Sequence, residues 1–180
     1  TELDQFLKDG VIDVTNRILQ IRPQDIELFA RTTSSDSQGV NVGGARIISV
    51  MREANIDGSS DGSSAWRPCK QVPSALQSRV VDTDSLHFAS IYNPVYILEN
   101  NSVVNVYPTP SSNNGIKVTY VNKSPVNGSG SALVHSHDDI LYFPEDKVYL
   151  VVLYAAIASL EAKLGEYVID EEDTELVSAI

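Results

Sequence analysis

The chain contains little cysteine and histidine, residues on which several classes of function depend. Cys69 is its only cysteine, and there are 3 histidines among 180 residues. A single cysteine excludes an internal disulfide framework and fits a protein that folds in a reducing compartment. We therefore expect Cys69 to be a small residue of the core and not a reactive thiol.

Positive charge is also scarce. The chain has 13 Lys and Arg against 24 Asp and Glu, a formal net charge of -11, and much of the acidic excess follows residue 165. Simple attraction to free nucleic acid or to an anionic membrane surface is therefore not expected. The first residues, TELDQFLKDGV, lack the basic start and apolar run of a secretory signal, so we expect no export by that route.

Common catalytic motifs are missing from the sequence. The glycine-rich stretches GVNVGG and NGSGS lack the Gly-Lys-Ser/Thr ending that completes a phosphate-binding loop. There is no G-x-S-x-G nucleophile elbow, and Cys69 follows a proline with no plausible His/Asn set around it. We therefore expect no enzymatic activity, no catalytic residues and no cofactor.

One stretch resembles a metal-binding motif. The string HSHDDI, residues 135–140, matches five positions of the H-x-H-x-D-H signature of metallo-β-lactamase-like hydrolases, but Ile140 stands where the last His belongs. Zinc needs about four converging ligands, and the only further histidine is His87. We favour a polar turn in which Asp138 or Asp139 caps the next helix, and expect no metal site. A metal-dependent hydrolase using His135 and His137 remains an alternative.

Apolar periodicity predicts a helix, then a β-rich region, then a second helix. Spacings of three and four predict an amphipathic helix from Leu3 to about Ile21, followed by a short helical turn in PQDIELF. The stretches ARIISVMRE and WRPCKQV predict antiparallel strands, with Pro68 on an edge. The segment VYILENNSVVNVYP predicts a hairpin that continues into IKVTYVN as an antiparallel meander. RTTSSDSQGVNVGG and NIDGSSDGSS predict loops.

The second helix is the strongest signal in the chain. We expect it to start after Pro144 and to end at Gly165, and the 13 residues VYLVVLYAAIASL carry no charge. An uncharged run of that length is shorter than the ~20 residues that span a bilayer, so no membrane contact is expected. A helix that is apolar all round must be covered on nearly every side.

Either an ordinary core position or a subunit interface would cover this helix. If it is an interface, the expected contact residues are Val148, Val151, Val152, Tyr154, Ala155 and Ala158. The acidic arm 166–180 alternates acids with apolar residues, and Leu176, Val177 and Ile180 are expected to bind a partner.

These features predict one α+β domain over residues 1–180. Its N-terminal and C-terminal helices, in residues 1–30 and 140–165, pack together, and a β-rich antiparallel insertion at about 45–122 lies between them.

Two stretches, YFPEDKVYLVVLYAAIASLEAKL and YNPVYILENNSVVNVYPTP, resemble the neck adaptor, or head-to-tail connector, proteins of tailed bacteriophages. The resemblance implies a structural protein of the virion neck that folds in the host cytoplasm. It implies a ring of twelve copies below the portal protein that extends the DNA channel and docks the next neck or tail protein. Genomic DNA would pass without tight binding, because an acidic wall repels phosphate.

A β-rich module that binds glycans or a host surface is the second interpretation. It depends on aromatic residues of the predicted strands, which are otherwise most often core residues. The candidates are Trp66, Tyr92, Tyr96, Tyr107 and Tyr120.

Overall fold

The chain divides into two compact units. The computed structural model describes residues 1–54, 65–112 and 114–170. A helical unit comprises Thr1–Phe29 and Ser124–Ile180, and a sheet unit comprises Ala30–Lys123. The fold is the predicted α+β arrangement, with a helix at each end of the chain and β-strands between them.

The helical unit begins with α1, Glu2–Ile21, at the predicted position. Thr1 caps it, because its hydroxyl accepts from the Asp4 backbone N–H while the Asp4 carboxylate accepts from the Thr1 amino group and hydroxyl. This reciprocal arrangement satisfies backbone donors that the first turn leaves open. A 3₁₀ segment, Pro23–Phe29, follows where a helical turn was predicted.

A second helical run closes the helical unit. A 3₁₀ turn, Glu145–Lys147, leads into a long helix, Val148–Asp170, which we call α3. The helix passes through Gly165, so the predicted end is wrong. A Cβ on Gly165 would have no neighbour within 4 Å, and its φ is not in the left-handed region that ends helices.

The prediction that Asp138 or Asp139 caps this helix is also wrong. Pro144 precedes the 3₁₀ turn, and within the described part of the chain no side chain forms a capping hydrogen bond there. The acidic residues Glu145 and Asp146 do occupy the first turn, as predicted, where they complement the helix dipole.

Among its described residues, the sheet unit contains eight strands and one short helix. The strands form two four-stranded sheets, in the orders β1-β8-β3-β4 and β2-β7-β6-β5. A 3₁₀ turn, Ser74–Leu76, precedes the short helix α2, Gln77–Val81. The strands are β1 Ala30–Ser35, β2 Val40–Asn41, β3 Ile47–Ala54, β4 Ala65–Pro68, β5 Lys70–Gln71, β6 Val95–Glu99, β7 Val103–Tyr107 and β8 Ile116–Val121.

Two predictions for this region are wrong. The stretch RTTSSDSQGVNVGG was expected to be a loop, but it contains β1 and β2, so the sheet unit begins at Ala30 and not near residue 45. The expected three-strand meander is split, because β6 and β7 form a hairpin in one sheet while β8 lies between β1 and β3 in the other. Each of these errors concerns a long-range pairing partner that local periodicity does not specify.

Other local predictions are confirmed. Asn100 and Asn101 have φ of 49° and 56°, the left-handed conformation expected for the tight turn between β6 and β7. Strand β4 pairs antiparallel with β3 and forms the sheet edge, with Pro68 at its end. The rest of WRPCKQV does not follow the prediction, because β5 pairs parallel with β6 in the other sheet. The predicted loop NIDGSSDGSS lies outside the described residues.

The core of the sheet unit lies between its two sheets. Val104 and Val106 of β7 belong to the same buried cluster as Ile116 and Val118 of β8, from the other sheet. All four side chains are fully buried. The sheet unit therefore closes around its own apolar residues.

Candidate assembly surface on the C-terminal helix

Helices α1 and α3 pack together, as predicted, and they are in close contact at Gly10. A Cβ built on Gly10 would lie 3.0 Å from Tyr154 Cδ1 and 3.3 Å from the Val151 carbonyl oxygen. Val11 and Val14 are buried on the same helix. A glycine at this point therefore lets the two helices approach closely enough to bury one side of α3.

Only one side of α3 is covered in this way. Val151 and Ala155 are 0% and 2% exposed, whereas Val152 is 57% and Leu160 is 71% exposed. The exposed residues recur at steps of three and four, so they share one side of the helix. The large apolar residues on it are Tyr149, Val152, Leu153, Ile157, Leu160 and Tyr167.

Two features make up this exposed side. We call the row Tyr149, Val152, Ala156 and Leu160 the ridge; all four are exposed. Beside it lies a groove of about 540 Å³ between α1 and α3. Its apolar lining includes Val14, Ile18, Ile21, Leu150, Leu153 and Ile157.

Charged residues border the groove. Asp13, Arg17 and Glu161 line it, and Arg17 Nε lies 2.7 Å from Asp13 Oδ2. The ridge is followed, one helical turn after Leu160, by the exposed Lys163, which bonds Glu166 on its own helix. The surface is thus an apolar area bordered by a few charges, the usual composition of a protein interface.

The structure distributes the predicted interface residues over three environments. Val152 lies on the exposed side, while Val148, Tyr154 and Ala158 are half-buried. Val151 and Ala155 pack inside the chain and have no surface left for a partner, which removes them from the candidate interface. The predicted partner-binding residues Leu176, Val177 and Ile180 lie outside the described residues.

Sequence reasoning missed Tyr149, Leu153, Ile157 and Leu160. A helix that is apolar all round has no polar face to indicate which side is exposed. Gly10 indicates which side of α1 packs against a helix, whereas Ala155, Ala156 and Ala158 place small residues on several sides of α3.

The exposure of α3 bears on whether this helix is a core helix or is able to cross a membrane. Within Glu145–Tyr167 an 18-residue window has a mean hydropathy of 1.6, and among the described residues this is the one helix long and apolar enough, by length and composition, to cross a membrane. Only 11% of that window is buried, whereas the core helix of a soluble protein is mostly buried. The expectation that this helix is too short to span a bilayer therefore does not hold for its full length, and α3 is not covered like an ordinary core helix.

The histidines of the motif-like stretch have structural partners. The Asp4 carboxylate accepts from the His135 backbone N–H at 2.7 Å and lies 2.8 Å from His135 Nδ1. His137 Nδ1 accepts from the Val134 N–H, and its Nε2 contacts Asn127 Nδ2, both at 3.2 Å. Across residues 1–54, 65–112 and 114–170, no group of three His, Cys, Asp or Glu is placed to hold a metal ion.

Cys69 lies in an environment that opposes thiolate formation. Burial raises the pKa of its thiol to about 12, and the nearby Arg52 guanidinium lowers it only in part. The side chain packs against the core cluster of the sheet unit. Cys69 therefore fits the predicted role of a small residue that packs with the core.

The candidate glycan-binding aromatics do not form a shared platform. Tyr120 is in the core, and the face of Trp66 is covered by Lys117 Nζ, 3.8 Å from the ring centroid. The Tyr96 and Tyr107 hydroxyls bond Gln71 and Gln77. Tyr92 is exposed and packs against the Arg67 guanidinium. All five candidate aromatic residues therefore have contacts within the chain.

Neither a protein-family model nor a curated protein matches this chain.

Proposed function

We propose that this chain is a structural subunit that assembles with copies of itself through the exposed side of α3, and that it serves as a head-to-tail connector of a tailed bacteriophage. In this role it forms a ring below the portal protein, extends the DNA channel and docks the next neck or tail protein. The exposed apolar side of α3 is the observation that carries the proposal.

The size of this surface supports an assembly role. The large apolar side chains of α3 together expose roughly 600 Å², which is at the upper limit for the largest apolar patch on an ordinary monomer. A stable protein pair buries on the order of 800 Å² per partner, so the patch with its polar border is of the right size. Covering it would remove an apolar surface that otherwise favours aggregation.

The charge of the chain is compatible with a DNA channel. A net charge of -11 disfavours binding to phosphate, so a ring of such subunits would let DNA pass without retaining it. The long apolar helix and the asparagine hairpin resemble neck adaptors, and this resemblance is the reason for proposing a head-to-tail connector in particular.

Imaging of the protein with its portal tests the proposal. We expect negative-stain images of the wild-type chain mixed with the candidate portal rings to show an added ring of density. Leu160→Glu should abolish that ring, because it places a charge on the exposed side of α3. Leu86→Glu is the matched control, since Leu86 is fully exposed in the sheet unit and α3 is unchanged.

Two results would contradict the proposal. Portal rings that never acquire additional density from the wild-type chain would remove the connector role. Equal ring formation by Leu160→Glu and Leu86→Glu would show that α3 does not mediate assembly.

A further inference from the structure

The ridge and the groove lie on adjacent sides of the same helix. Ridge residues Tyr149, Val152 and Ala156 are each followed directly by a groove residue, Leu150, Leu153 and Ile157. One residue along an α-helix is a rotation of about 100°, so the two features face different directions. A single copy therefore presents a convex apolar row and, a quarter turn away, a concave apolar one.

We propose that the ridge of one copy packs into the groove of the next copy, with the two α3 helices parallel. This inference rests on the proposed self-assembly and specifies its contact. Such a contact uses the ridge of one copy and the groove of the other. Each pair therefore still has one free groove and one free ridge. Addition of further copies then continues in one direction and gives a ring when the rotation closes.

The shape of the ridge fits a helical partner. Its residues follow one another at steps of three and four, the spacing by which helices pack side by side. Ala156 lies in the middle of the ridge and has little side chain, so a second helix can approach closely there. A groove between two helices offers the matching depression, and α3 of a second copy presents an apolar helical row to fill it.

The charges favour a parallel arrangement. Lys163 follows the ridge and Glu161 borders the groove, two residues or about 3 Å apart along the helix axis. When two copies are related by rotation about an axis parallel to α3, each residue keeps its height along that axis. Lys163 of one copy is then at nearly the same height as Glu161 of the other. Opposite charges then meet at the end of the contact.

An antiparallel arrangement would separate Lys163 from Glu161. α1 runs antiparallel to α3, because Gly10 lies beside Val151 and Tyr154 while Phe6 lies further along α3, near Ser159. Arg17 is therefore near the start of α3, beside Leu150. An inverted neighbour would place its Lys163 near the Arg17–Asp13 ion pair, which carries no net opposite charge, in place of Glu161.

Charge reversal on the full chain tests the contact. In sedimentation velocity over a concentration series, we expect the wild-type chain to form species larger than dimers. Lys163→Glu and Glu161→Lys should each weaken association by about fivefold or more, because an attractive pair becomes repulsive. The double variant Lys163→Glu/Glu161→Lys should restore it.

Restored association of the double variant would indicate that residues 161 and 163 of different copies are in contact. Residues two apart on a helix do not face each other, so the reversed charges cannot pair within one chain. Lys163→Glu/Glu166→Lys is the matched control: it restores the pair within the helix and should leave association weak. Far-UV circular dichroism confirms that each variant is folded, and Ala156→Glu, which places a charge within the ridge, should also prevent association.

Other outcomes overturn the inference. A wild-type chain that is monomeric throughout, a closed dimer, or a double variant that stays weak would each exclude the ridge-in-groove contact. Cosedimentation with phosphatidylcholine vesicles in place of self-association would assign the ridge to a membrane. If the wild-type chain still adds a ring to the portal, the connector proposal stands while this contact falls; if it neither associates nor joins the portal, both fall.

Discussion

The two units of this protein use their apolar residues differently. In the sheet unit, the inward residues of two sheets cover each other and are fully buried. In the helical unit, α3 buries one side against α1 and leaves large apolar residues exposed along the other. Apolar area that folding does not use is available for assembly, and this difference is why we assign assembly to the helical unit.

The largest expected effect compares one isoleucine from each unit. Ile116 is 0% exposed and Ile157 is 49% exposed. Ile116→Ala should lower the free energy of unfolding by about 3 to 4 kcal/mol, because it leaves a cavity between the sheets. Ile157→Ala should cost about 1 kcal/mol, since much of the side chain is already in water. Urea denaturation measures both, and equal losses would show that the exposed side of α3 is covered in solution.

A second comparison concerns two arginines that face each other across β3 and β4. Arg52 is buried and donates from Nε to the Pro108 carbonyl at 2.8 Å and from Nη1 to the Glu53 carbonyl at 2.8 Å. Arg52→Met should cost about 2 to 3 kcal/mol, because it leaves these carbonyls without their donors. Arg67, whose buried Nε has no hydrogen-bond partner among the described atoms, is the control.

The two arginine variants are compared by thermal unfolding. Arg67→Met should lower the melting temperature less than Arg52→Met. It removes the contact of the guanidinium with the Tyr92 ring, but no carbonyl loses a hydrogen bond from Arg67 Nε. The reverse order would mean that the Arg52 carbonyl contacts do not contribute to the stability of the sheet unit.

Alanine substitutions at two glycines of the helical unit should change the free energy of unfolding by smaller amounts and in opposite directions. Gly165→Ala should raise the free energy of unfolding by about 1 kcal/mol, because the site is open and alanine favours a helix. Gly10→Ala should lower it by about 1 kcal/mol, since a methyl group 3.3 Å from the Val151 carbonyl outweighs that gain. Stabilisation by both changes, measured in urea, would show that the helices can separate at Gly10 without cost.

The sequence predicted the elements whose signals are local. Helix α1, the β3–β4 pair and the asparagine hairpin follow from periodicity and turn residues. Strand β1 was missed because Thr32, Thr33 and Ser34 resemble a loop, and they form a strand only by pairing with β8, far along the chain. The same limit applies to the candidate site, because the exposed side of α3 depends on which side α1 covers.

The smallest expected effect concerns the contact that joins the start of α1 to the histidine stretch. The Asp4 carboxylate accepts from the chain's amino group and the Thr1 hydroxyl, each at 2.6 Å, and from the His135 backbone N–H. These hydrogen bonds, the one from the amino group foremost, hold the pKa of Asp4 well below its ordinary value. The carboxylate form is therefore favoured by folding.

The sign of the pH dependence follows from this lowered pKa. An aspartate with a lowered folded-state pKa contributes its full stabilisation above the unfolded value of about 3.9 and loses it as pH falls further. Wild-type stability should therefore decline below about pH 4 more steeply than that of Asp4→Asn, measured by urea denaturation between pH 2 and 7. Asp9→Asn is the control, because Asp9 accepts from Gln5 on the same helix and does not contact His135. Parallel curves for the wild-type chain and Asp4→Asn would mean that the carboxylate does not hold the histidine stretch to α1.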